Sequence, residues 1–225
     1  MESDQNARRG AAGGIISVIL FLVGFGMVNS GAPSYDASGT AWAAHFADHA
    51  TRIQIGLAVV SAGIFFFVWF LGSLRSTITA AEGGTGRLAS IAYGAGLIGA
   101  GALLMAFTGV AVAAFRPDQL DPDLTRAFND FGALAAGPAA AAFTAFSAAT
   151  AIAGYRHGAL PAPVAGFSAL SAITQPLGLG VMFCTTGAFA ADGVLGAIVP
   201  IITFAIAVLT ASWTLMRGWT PTPAT

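Results

Sequence analysis

"IQIGLAVVSAGIFFFVWFLGSL", residues 53–74, runs from one arginine to the next without a charged residue. A helix that crosses a bilayer needs about 20 mainly apolar residues, so this stretch decides the fold class. Its aromatic run, 65–69, selects no single helical face, which suits lipid and core packing better than a ligand cage. Outward from it, five further runs have the same character. The expected helices cover about 11–29, 41–75, 88–115, 122–154, 164–187 and 193–216. The expected fold is therefore all-α: a polytopic integral membrane bundle of six transmembrane helices, forming a single membrane domain over 1–225.

Composition agrees. Hydrophobic residues make up 56% of the chain and charged residues 8%, with mean hydropathy +0.78. A soluble domain carries about 25% charged residues, so lipid rather than water must cover most of this surface. The 29 glycines fit close helix approach, because packing holds helices together in a membrane. The same small-residue faces allow a homo-oligomer. A net charge of −1 gives no case for a nucleic-acid partner. The single cysteine, Cys184, excludes an intrachain disulfide and thiol-pair redox chemistry. The sequence has no lysine, which excludes a lysine Schiff base.

Charge sets the expected orientation. With a cytoplasmic N-terminus, Arg8, Arg9, Arg75, Arg87, Arg156 and Arg217 fall inside, and Arg52, Arg116 and Arg126 fall outside with most of the aspartates. This follows the positive-inside rule and the reverse orientation violates it. Both termini are thus expected in the cytoplasm of a multi-pass cell-membrane protein. The first run can also be read as a signal peptide, with Ser30-Gly31-Ala32 as cleavage site. That alternative leaves the later helices oriented alike.

Two helices look longer than a membrane requires. Ser38 or Thr40 can cap a helix starting near Ala41, giving an outer extension over 41–52. Asp121-Pro122-Asp123 is a helix start, with an N-cap acid, proline at N1 and a second acid in the first turn. Its outer extension covers 122–130.

Both extensions carry the candidate functional groups. On a helix, His45, Asp48, His49 and Arg52 fall within an arc of about 100°, beside Trp42, Phe46 and Ile53. One reading is a polar face lying in the membrane interface. The other is a site: His45, Asp48 and His49 as acid–base groups with Arg52 binding ligand. Two histidines four apart can share a metal, but no third strong ligand lies near in sequence, so no metal is expected. The facing segment, residues 116–130, places Asp123, Arg126, Asn129 and Asp130 on one face. It reads as helix capping plus a solvated acidic surface, or as the opposite wall of a vestibule. In that case Asp123 and Asp130 join the catalytic candidates, and Arg126 and Asn129 the ligand-binding ones. At membrane depth, Thr144, Ser171 and Gln175 are polar groups that lipid cannot satisfy. They read as interhelical glue or as the lining of an outward-opening cavity. Pro176 should kink the fifth helix, with Gln175 turned toward other helices.

At "YRHGALPAPVAGFSAL", 155–170, and "WFLGSLRSTITAAEGGTGRLA", 69–89, the chain resembles a broad group of uncharacterised actinobacterial polytopic membrane proteins. The resemblance implies a multi-helix bundle and carries over no activity, cofactor or catalytic residue.

The sequence lacks G-x-S-x-G, the P-loop and H-E-x-x-H, patterns that mark nucleophilic, nucleotide and zinc sites. His45 and His49 lie at one membrane face and His157 at the other, so no histidine pair can clamp a haem in mid-membrane. No cofactor is expected. The leading functional expectation is a protein that binds or handles a lipophilic small molecule or a membrane lipid, in a bundle pocket open to the extracytoplasmic side. A membrane-embedded cyclase or isomerase using Asp and His, and a small transporter or channel, are the alternatives.

Overall fold

The computed structural model describes residues 2–84 and 86–221, with side chains from residue 10 onward. Among the described residues, six helices are long and apolar enough to cross a membrane. They are α1 (Glu2–Asn29), α2 (Gly39–Glu82), α3 (Arg87–Phe115), α4 (Pro122–His157), α5 (Ala162–Thr174, continued as a 3-10 helix Gln175–Met182) and α6 (Val199–Met216, entered through a π turn Val194–Ile198). The described residues contain no strand. The fold is thus the expected all-helical, six-span bundle.

Glycine seams let the helices meet backbone to backbone. A Cβ on Gly24 of α1 would lie 2.6 Å from the Gly56 carbonyl of α2, and one on Gly13 would lie 2.6 Å from the Phe66 carbonyl. The α3–α4 seam repeats this at Gly109, 2.7 Å from the Phe128 carbonyl. Where the seams end, aromatic rings fill the centre: Phe67, Phe143, Phe146 and Phe204 contact one another, the closest pair 4.5 Å apart between ring centroids. Such packing holds a bundle in a solvent as apolar as its own side chains.

The bundle has two unlike ends. One carries the first turns of α1, the last of α6 and the α2–α3 and α4–α5 connections; it is called the terminal end below. Here Arg75 lies over Tyr93 at 5.3 Å and Arg217 over Trp213 at 4.5 Å, guanidinium–ring contacts suited to an interfacial belt. The Ser212 hydroxyl of α6 donates to the Ala11 carbonyl of α1, tying the last helix to the first. The other end, the loop end, carries residues 30–38, a short 3-10 turn Pro117–Gln119, and 183–193.

Helix bounds depart from the hydropathy runs. α2 passes Arg75 and stops at Glu82, because nothing before Gly83 breaks a helix; Gly83 takes the left-handed conformation, φ 62°, which glycine tolerates best. Glu82 then turns onto the next helix. Its two carboxylate oxygens accept the backbone N–H groups of Leu88 and Ala89, at 2.9 and 3.0 Å. These are among the donors that a helix start leaves without partners.

The fifth span differs most from expectation. A continuous helix over 164–187 is not what forms. Pro176 cannot donate an N–H, and Gly178 and Gly180 let the chain tighten into i→i+3 bonding. The 3-10 stretch lies beside the π turn that opens α6, with Gly178 against Ala140 and the Gly196 carbonyl. The α-helical winding therefore ends at Thr174, just before Pro176, and Gln175 is buried as expected. Its amide donates to the Pro200 carbonyl at 2.9 Å.

Candidate functional site

The loop end gathers the candidate residues, but in an arrangement that differs from one vestibule. Ser38 caps α2, its hydroxyl accepting from Ala41 N at 3.3 Å. Asp121 caps α4 through Asp123 N at 2.9 Å, the role its position predicts. The two helix starts then touch: a Cβ on Gly39 would sit 2.7 Å from the Pro122 carbonyl and 2.9 Å from Asp123 Oδ1. From this junction the polar stripes of α2 and α4 turn to different neighbours. Among the described residues, no hydrogen bond or ion pair joins His45, Asp48, His49 or Arg52 to Asp123, Arg126 or Asp130. The loop 30–38 contacts both stripes: its Ser30 carbonyl accepts from Arg52, and its Tyr35 hydroxyl donates to the Asn129 carbonyl.

On α2, His45 is 6% exposed and stacks on His49, with ring centroids 4.8 Å apart. His49 Nδ1 lies 3.0 Å from the His45 carbonyl. A carbonyl only accepts, so Nδ1 carries the proton and Nε2 is free. Arg52 donates to the Ser30 carbonyl and forms no ion pair with Asp48, although the two are four residues apart. On α4, Arg126 pairs within its own helix with Asp130, Nε to Oδ2 at 3.8 Å. Both partners are more than a third exposed, so the pair adds little stability.

Tyr35 joins the two sides, and sequence reading missed it. Its hydroxyl donates to the Asn129 carbonyl at 3.0 Å, its backbone N–H donates to Asp192 at 3.1 Å, and its ring meets Trp42 edge-on at 6.0 Å. Burial, then the nearby charges of Asp130 and Asp192, push the phenol well above its ordinary pKa, so it remains a neutral donor. The available signal was a lone aromatic in "SGAPSYDASGT", residues 30–40, an otherwise small and polar connector.

The membrane-depth candidates are satisfied within the bundle. Thr144 donates to the Ala140 carbonyl of its own helix at 2.7 Å, and the Ser171 hydroxyl meets that of Ser147 at 3.0 Å. The Ser147–Ser171 and Gln175–Pro200 bonds join helices, as the interhelical reading expects, and Thr144, Ser171 and Gln175 line neither of the two cavities described next. Two cavities do lie at the loop end. One, about 380 Å³, opens beside Phe115 and Arg116 at the end of α3. The other, about 460 Å³, runs along α2 from Ala47 to Ile55 and under Met27 of α1. It contains Asp48, His49 and Arg52. The described residues contain no group of three or more His, Cys, Asp or Glu placed to hold a metal ion.

No protein-family model, no curated protein and no solved structure matches this chain.

Proposed function

We propose that this membrane protein holds a lipid or other lipophilic small molecule at its loop end. One observation carries the reading. Three buried side-chain atoms among the described residues lack a hydrogen-bond partner: Trp42 Nε1, Arg52 Nε and Asn129 Nδ2. All three are N–H donors, and each belongs to a residue in contact with the loop 30–38. A buried donor without an acceptor costs about 1–3 kcal/mol. A ligand with oxygen acceptors, seated against the loop, recovers that cost. The site then lies at the edge of the bundle, not in its middle.

Acid–base catalysis has less support, because no α4 carboxylate reaches an α2 histidine. The transporter reading keeps one favourable observation. The adjacent 3-10 and π segments are broken helices of the kind that line substrate sites in transporters.

Full-length protein purified without added lipid should carry a bound molecule that mass spectrometry detects after extraction. Trp42→Phe, which removes one donor and keeps the aromatic volume, should lower its occupancy several-fold. Protein that carries nothing, or a variant that retains its ligand fully, overturns the reading.

The arginine distribution supports an extracytoplasmic loop end. In a Cys184→Ser background, a cysteine at Ser38 should react with a membrane-impermeant reagent in intact cells, and one at Ser76 should not. Labelling at Ser76 alone reverses the orientation.

A further inference from the structure

We infer that the groove along α2 recognises a phospholipid with a primary-amine headgroup, of the phosphoethanolamine class. The inference rests on the lipid-binding reading above, with which the groove shares Arg52, and names the headgroup. Three observations carry it, all from the 460 Å³ groove.

The groove first separates its charges. Asp48 and Arg52 are one helical turn apart, the spacing of an ordinary helical ion pair, yet they do not pair because the guanidinium turns to Ser30. An exposed carboxylate and a cation with unused donors are thus held side by side. That is the complement of a zwitterion, in which a phosphate and an ammonium are two carbons apart. Secondly, His49 presents an acceptor. Its Nδ1–H is engaged by the His45 carbonyl, which leaves Nε2 with a lone pair in the neutral ring. Asp48 and His49 together offer acceptors to an ammonium with N–H groups. A quaternary choline has none to give. Thirdly, Met27 and Ile55 line the same groove, and Ile55 is 51% exposed. They continue the polar site into the lipid-facing surface of α1 and α2, where acyl chains lie. Arg52 takes the phosphate, since a guanidinium fork matches its oxygens.

The experiment is competition in native mass spectrometry. Full-length protein in detergent receives equimolar phosphatidylethanolamine, phosphatidylcholine and phosphatidylglycerol with identical acyl chains. Phosphatidylethanolamine should be retained about tenfold over each of the others, the ratio that one charged hydrogen bond of about 1.4 kcal/mol gives. Asp48→Asn should abolish the preference over phosphatidylcholine while phospholipid still binds. Arg52→Gln should weaken all three. Equal retention of the three lipids, or a preference surviving Asp48→Asn, overturns the headgroup inference and leaves the broader reading standing. Protein that retains none of the three and carries no other lipophile removes both. Soluble phosphoethanolamine is the last arm. If it displaces the lipid at equal concentration, the ligand is the free phosphoamine, and the lipid source is wrong.

Discussion

Gly24→Val should lower the melting temperature of the purified protein by roughly 6–12 °C. Gly26→Val, two residues along the same helix, should leave it nearly unchanged. At Gly24 an added Cβ meets the Gly56 carbonyl at 2.6 Å, Val60 Cγ2 at 2.7 Å and Val60 N at 2.8 Å. Two of these three atoms are backbone and cannot rotate away. At Gly26 nothing lies within 4 Å. Overpacking a tight contact costs about 1–3 kcal/mol, and this contact is one of those that let α1 and α2 approach. A cost near 3 kcal/mol corresponds to the stated shift at about 2–4 °C per kcal/mol for a chain of this size. Thermal unfolding in one detergent, wild type beside both variants, gives the answer. Equal effects at the two positions would sink the idea that the seam, and not helix propensity, sets stability here.

Glu82→Ala should cost about 2–3 kcal/mol, and Glu82→Gln clearly less. The carboxylate holds two backbone N–H groups at the start of α3. Hydrogen bonds to a charged group contribute about 1.5–3 kcal/mol. Alanine leaves both donors without their acceptor, and Ala89 is fully buried, so water does not readily replace it there. Glutamine keeps one oxygen and loses the charge. Denaturation in a graded detergent series, with the same three proteins, measures the order. An alanine variant as stable as wild type would mean that the cap is idle.

These two positions also show what the sequence made legible. Six spans could be counted because each apolar run is long enough to require lipid, and hydropathy reports that directly. The start of α4 was legible because Asp-Pro-Asp carries its own local chemistry, which Asp121 then performs. Helix ends were not, because a charge such as Arg75 marks a membrane surface while a helix continues until a glycine releases it. The tightened stretch after Thr174 was half legible. Pro176 announces a disturbance, but whether the chain bends or rewinds depends on Gly178 finding Ala140 and Gly196 across the bundle. The surroundings of the candidate site were not legible, for a geometric reason. Periodicity says that His45, Asp48, His49 and Arg52 share a face, but not what that face meets. It meets the connector that carries Ser30 and Gly31, and Tyr35 stands between it and α4.

α2 is a single uninterrupted rod of 44 residues, about 66 Å long at 1.5 Å per residue. Its first turn touches the start of α4, and its last residue clasps the start of α3. A rod of that length bends only gently, so it works as a mechanical strut between the two faces of the membrane. The pair α5–α6 is built otherwise, jointed at Thr174 and again at Ile198. One side of the molecule is thus a continuous helix from the loop end to Glu82, while the other is interrupted within the span at Thr174 and Ile198.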